Sequence, residues 1–199
     1  MLGFWQAIGL FLLASFLVIF LDSALQGTVG KQAYYLTWPL ATIVSLSIVI
    51  LTSYRIRPAL LRLSHWTPMP ADVAVGLAFG CADYGLTRII ERFQSEPLTA
   101  GNGHSGFLSA LCIVFLGPIL EETLCRAVVL RSLLEHTRPL FAVLITGALA
   151  ASAHESFLLA LPGQLGLSAV YVIRKKSMSA TISYHMLANA LGYMTLFHS

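Results

Sequence analysis

The stretch Leu116-Gly-Pro-Ile-Leu-Glu-Glu-Thr-Leu-Cys-Arg-Ala-Val-Val-Leu-Arg131 sets two adjacent carboxylates, Glu121 and Glu122, inside an otherwise apolar run. A charged side chain at bilayer depth costs about 3 kcal/mol even on the lenient insertion scales, so it is normally turned inward, paired and functional. Arg126 follows Glu122 by four residues, the acid-before-base order that brings two side chains together on one helical face. Glu121 lies about 100° round the helix from its neighbour and has no partner nearby in sequence. Its company must come from elsewhere in the chain.

The composition around this stretch is that of a membrane protein. Hydrophobic residues make up 57% of the 199 and charged residues 11%, against about 25% charged in a soluble domain; mean hydropathy is +0.78. The net charge of +3, from 12 Lys and Arg against 9 Asp and Glu, is too small an excess to argue for nucleic acid. The basic residues stand at the ends of apolar runs, where they act as topology signals. Cys81, Cys112 and Cys125 are far apart and lack CxxC spacing, so they read as packing residues with no disulfide.

Working outward, an all-α polytopic bundle of about seven transmembrane helices is expected, within a range of about six to eight. The first span is Leu2 to Leu21, with no basic residue ahead of it and no evident cleavage site, hence a retained span. Asp22 to Lys31 is expected to end it. Tyr34 to Tyr54 is the second, followed by a basic connection with Arg55, Arg57, Arg62 and His65. Ala71 to Ile90 is a weaker third, carrying Asp72, Asp83 and Arg88. A polar Gly/Ser/Pro-rich loop then leads to the fourth span, Phe107 to Leu130.

A fifth helix runs from Pro139 to His154, its small residues Gly147 and Ala151 spaced for close helix approach. Pro162-Gly163 is expected to break the chain before a short sixth helix to Ile173, and Ser177 to Phe197 forms the seventh. Connections after the even-numbered spans hold eight Lys and Arg against three, Lys31, Arg92 and the span-end Arg88, on the other side, which favours a cytoplasmic N-terminus. The chain reads as one membrane domain, 1–199, with accessory helices over 1–106 and a catalytic core over 107–194.

The C-terminal half gathers further polar groups: His154 late in the fifth helix, and His185 and Asn189 four residues apart on one face of the seventh. At about 1.5 Å per residue, Glu121 lies roughly 15 Å and His185 roughly 13 Å from the cytoplasmic ends of their helices, so the two can share a layer. His154 counts out at roughly 24 Å and needs a shifted or tilted fifth helix to join them. An acid, two imidazoles and a carboxamide converging in a membrane supply a base, proton shuttles and hydrogen-bond donors, the parts that drive water onto an amide carbonyl.

In order and spacing, Glu121-Glu122-Thr-Leu-Cys-Arg126 (EExxxR), His154, and His185-Met-Leu-Ala-Asn189 (HxxxN) resemble the CPBP family of intramembrane proteases, also called the Abi or CaaX-protease-like family. The resemblance spans about Phe107 to Met194 and departs at one position, Ala150, where the family's FxxxH motif carries Phe. It implies a glutamic-type hydrolase without a cofactor: Glu121 and His154 activate water, His185 and Asn189 stabilise the oxyanion, and Glu122 with Arg126 hold the helix. It also implies a membrane-tethered or lipidated substrate, such as a sorting tail or a CaaX-like end. The short single-domain chain resembles the prokaryotic members, hence a cell or inner membrane location.

Two other readings stand beside this one. Zinc held by Glu121, His154 and His185 suits the ligand chemistry, although His154-Glu155 is not an HExxH site because position 158 is Leu. A non-enzymatic transporter or partner-binding bundle could use the same polar groups, but a transporter often shows internal symmetry or paired broken helices. Asp72, Asp83 and Arg88 are expected to be a paired structural set, Arg174-Lys175-Lys176 a topology anchor, and His65, His104, His136 and His198 solvated.

Overall fold

The computed structural model describes residues 4–29, 34–56, 68–92, 110–154 and 156–196. Among them are seven helices and no strand: α1 (Phe4–Val29), α2 (Tyr34–Ile56), α3 (Pro70–Arg92), α4 (110–134), α5 (Pro139–Ser152), α6 (Phe157–Ile173) and α7 (Met178–Leu196). Prolines open two of them. Pro139 takes the first turn of α5, where its missing N–H costs nothing, and pushes Arg138 into an extended conformation.

The distribution of side chains is that of a bundle in lipid. Phe16, Ile19, Phe20, Leu51, Leu140, Leu158 and Ile173 stand exposed on the outside, while Glu122, Arg126, Gln164, Ser168 and Thr181 are buried. In water the cost of that arrangement would be prohibitive; in hydrocarbon, polar groups must satisfy one another inside. Ile8–Gly27 and Pro70–Arg92 are long and apolar enough to cross a membrane unaided, whereas Leu40–Thr52, Pro139–Ser152 and Phe157–Ile173 are shorter apolar helices. The weak third span is thus one of the two best candidates.

α4 occupies the centre. Every residue from Glu122 to Leu130 is buried, packed among Leu10, Phe11, Leu46 and Val49 of α1 and α2 on one side and Ala142, Tyr171 and Met178 on the other. α3 lies on α7 through two glycines. A Cβ at Gly76 would collide with the Ala180 carbonyl, and one at Gly80 would sit 2.7 Å from that of Tyr184. Small residues let helix backbones close in this way where no hydrophobic effect drives them together. Gly147 does the same for α5 and α6, with a built Cβ 2.6 Å from Leu165.

Several sequence expectations change. α1 does not stop near Leu21 but continues to Val29, because the Asp22 carboxylate is buried and satisfied, accepting from Gln26 and from Thr37 of α2 at 2.7 Å each. Pro162-Gly163 does not break the chain; it lies inside continuous α6. One lost backbone bond is offset there by packing, as is common for prolines in membrane helices. Asp72, Asp83 and Arg88 do not pair with one another. Asp72 binds Arg174, and Arg88 binds Glu91 at 2.7 Å.

Arg174 is therefore more than a topology anchor: the turn it opens, with Lys175 and Lys176 at φ of 52° and 71°, is tied to the start of α3. The three cysteines are free thiols, Cys112 and Cys125 buried and Cys81 exposed rather than packed. His136 is exposed. Arg57, Arg62, His65, His104, His198 and the linker before α4 lie outside the described residues.

Gly76→Ala is expected to force α3 off α7 and lower stability by about 1–3 kcal/mol. Gly9→Ala, which would meet nothing within 4 Å, should be neutral or stabilising by up to about 1 kcal/mol. Thermal denaturation of the two variants in detergent compares them directly.

Candidate functional site

The site begins with the backbone of α4, which is wound widely in two places. At Cys112–Leu116 the turns are π-helical, and the Gly117 N–H donates to the Cys112 carbonyl five residues back. The next acceptor in that register, Ile113, would need the N–H of residue 118, which is proline and has none. Asn189 of α7 fills the vacancy, its Nδ2 donating to the Ile113 carbonyl at 2.9 Å. A second wide stretch, Thr123–Leu130, follows the two glutamates, and Arg131 N–H donates to Arg126 O. π turns of this kind frequently mark functional positions in helices.

Between those stretches stand Glu121 and Glu122, and the structure gives them unequal surroundings. Glu122 is sealed, with its Oε2 3.2 Å from Arg126 Nε and both side chains at or below 1% exposure. Its Oε1 lies 2.9 Å from His185 Nδ1. Arg126 is spread further: Nη2 donates to the Gln164 side-chain oxygen at 2.8 Å and to its backbone carbonyl at 3.0 Å. Three helices, α4, α6 and α7, are thereby joined through one buried carboxylate and one guanidinium.

Glu121 is open, with 34% of its side chain exposed, and its Oε2 lies 3.8 Å from His185 Nε2. The imidazole therefore sits between both glutamates, Nδ1 engaged by the sealed one and Nε2 turned to the open one. A gap of 3.8 Å is too long for a direct hydrogen bond, but one water can touch both ends. The expected pairing of Glu122 with Arg126 is present, and the same carboxylate also engages the histidine. Asn189 stands one turn beyond His185, and with one amide hydrogen committed to Ile113 it retains a second.

His154 is placed differently. α5 ends at Ser152, so His154 falls in the turn after the helix and is exposed. Its Nδ1 lies 3.0 Å from the Ala150 carbonyl; a carbonyl only accepts, so that nitrogen carries the proton and Nε2 is left free as a base. Within the described residues it makes no ion pair with Glu121. Ala150, where the sequence departs from FxxxH, is buried and orients this histidine through its carbonyl. Among the described residues no three His, Cys, Asp or Glu are grouped so as to hold a metal ion, so Glu121, His154 and His185 are not assembled as a ligand set.

Sequence reasoning passed over Gln164 and the Pro118–Ile113 vacancy. Both had a signal: Gln164 is a long polar side chain in an apolar helix, and a proline inside α4 must orphan a carbonyl.

Residues 103–191 match the family model described as type II CAAX prenyl endopeptidase Rce1-like. The match begins ahead of α4, ends within α7 and leaves α1 to α3 outside. No curated protein and no solved structure matches the chain.

Removing one member of the sealed pair leaves the other charge uncompensated, so Glu122→Leu and Arg126→Leu should each cost about 3–5 kcal/mol. The double variant should cost less than the sum. Unfolding midpoints of the three variants in detergent provide the check.

Proposed function

From the match of residues 103–191 to the Rce1-like type II CAAX prenyl endopeptidase model, we propose that the chain is an intramembrane endopeptidase of the CPBP family. It hydrolyses a peptide bond in a membrane-tethered or lipidated protein, such as one with a CaaX-like end or a sorting tail. The observation that carries this reading is the division between the two glutamates. One is sealed and spent on holding Arg126 and His185; the other is open and faces the free edge of the same imidazole.

In the proposed reaction Glu121 takes a proton from water, and the hydroxide attacks the scissile carbonyl. The negative charge that develops on the carbonyl oxygen is met by the Nε2–H of a His185 imidazolium, whose Nδ1–H stays on Glu122, and by the second Nδ2 hydrogen of Asn189, two donors on one face of α7. Collapse of the tetrahedral intermediate breaks the C–N bond, and Glu121 returns its proton to the leaving amine. His154, with Nε2 free, shares in water activation from the turn after α5. No metal is required by this scheme. The α4–α7 site opens toward lipid and the cytoplasmic face, with the N-terminus of α1 on the cytoplasmic side of a prokaryotic cell membrane.

Purified variants assayed on a lipidated peptide test the scheme. Glu121→Gln should lose the general base, a loss of about 10²–10⁴-fold, and His185→Ala and Asn189→Ala should lower kcat by about 10²–10³-fold each. His154→Ala should also reduce turnover. A fully active Glu121→Gln would sink the proposal. Chelators should leave the wild-type rate unchanged, and inactivation reversed by zinc would instead assign a metal.

A further inference from the structure

The described glycines differ in what a side chain there would touch. A Cβ at Gly76, Gly80, Gly147, Gly163 or Gly166 would run into an atom of a neighbouring helix, and one at Gly9, Gly27, Gly85 or Gly192 would meet nothing within 4 Å. Among the described glycines Gly117 alone meets only its own helix: the Cys112 carbonyl oxygen at 3.0 Å and Glu121 Oε1 at 3.8 Å. Its backbone is ordinary right-handed helix, with φ of −56° and ψ of −58°, so no turn requires glycine, and alanine would be the better helix former. Close approach of a second helix does not require it either. What the missing side chain supplies is space, and Gly117 is half-buried, so that space opens at the surface of α4.

The borders of this notch are polar. An α-helical register would pair the Cys112 carbonyl with the N–H of Leu116; the wide turn shifts that bond to Gly117 and sets the carbonyl beside the notch. A carbonyl oxygen accepts twice. Across from it stands the open glutamate, whose Oε1 turns back over Gly117 while its Oε2 faces His185 Nε2. Asn189 donates to the adjoining Ile113 carbonyl at 2.9 Å and so ties the wide turn to α7. The two atoms nearest the notch are thus both acceptors. A group with two hydrogens to give and a lone pair to spare satisfies them, which describes water; a side-chain methyl satisfies neither.

We propose that the notch over Gly117 seats the attacking water, one hydrogen on the Cys112 carbonyl and the other on Glu121 Oε1, and that Gly117 is a positioning residue for it. The catalytic consequence rests on the endopeptidase reading above; the water site itself does not. In the attack the water oxygen forms the new bond to the scissile carbonyl carbon, and the O–H directed at Oε1 breaks, its proton passing to Glu121. The second hydrogen stays on that oxygen, held by Cys112. The carboxylate is thereby divided between two tasks: Oε1 takes the proton, and the Oε2 side, beside the imidazole edge, is left to the carbonyl oxygen.

The test pairs crystal structures of the whole chain, grown in a lipid mesophase, with kcat and KM on a lipidated peptide for wild type, Gly117→Ala and Gly9→Ala. The wild-type map should show a water within hydrogen-bond distance of both the Cys112 carbonyl and Glu121 Oε1. Gly117→Ala should lose that water and lower kcat by on the order of ten- to a hundredfold with KM little changed, because the methyl displaces the water and not the peptide. Gly9→Ala makes the same change on α1, where a Cβ meets nothing, and should keep the wild-type kcat. A wild-type notch that is dry or filled by a lipid chain would overturn the proposal, as would a folded Gly117→Ala with wild-type kcat. Where Gly117→Ala does not fold, the wild-type map decides. A wild-type protein that holds the water yet cleaves nothing would defeat the protease reading and leave the water site standing.

Discussion

The contact on which the rest depends is the sealed ion pair of Glu122 and Arg126. Two opposite charges removed from water are tolerated only when their remaining hydrogen-bonding capacity is also met, and here the requirement reaches across three helices. Glu122 turns its second oxygen to His185, and Arg126 turns its second nitrogen to both oxygens of Gln164. α6 and α7 must therefore lie at fixed distances and rotations around α4. A site assembled this way is preorganised by the same interactions that make the helix burial affordable.

The two glutamates show how neighbouring identical residues come to differ. Glu122 is wholly enclosed and serves as an anchor; Glu121 keeps a third of its surface open and faces the imidazole edge. Only the latter keeps its carboxylate accessible beside that edge. The wide turns of α4 contribute to this separation, since they re-aim side chains relative to ordinary helical spacing and free the Ile113 carbonyl that Asn189 occupies. Asn189 thus has a structural duty as well as the proposed chemical one.

What could be read from the sequence was local. The four-residue spacing of Glu122 and Arg126 and of His185 and Asn189 survives in the structure because both members of each pair ride on one helix. The partner of Asp72 could not be read, since Arg174 is 102 residues away and nothing in the sequence near Asp72 points to it. The same holds for Asp22, which looked like a chain break until Thr37 of the next helix supplied its hydrogen bond. Pro162 was misread because proline's local cost is known, whereas the packing of Gly163 against Asp83 that offsets it is tertiary. The assignment of His185 to Glu122 rather than Glu121 alone turns on rotation of α7, and the glycines Gly76 and Gly80 that set its contact with α3 carry a small-residue signal that went unused.

The family match covers less than half of the chain, yet the matched helices are not self-sufficient. Leu124, Val128, Leu130 and Leu133 of α4 are buried in a cluster with Leu10, Phe11, Leu46 and Val49, so α1 and α2 cover apolar residues of α4 while the charged pair is held by α6 and α7. On the other side α3 closes against α7 through Gly76 and Gly80 and brings the Asp83 carboxylate onto Gly163 of α6. Without these helices the apolar faces of α4 and α7 would be left to lipid, and any water admitted there would weaken the Coulomb attraction that orders Arg126 and His185 around Glu122. The polar cluster of α4 to α7 thus depends on a dielectric environment to which α1 to α3 contribute, which is why helices outside the matched segment belong with it.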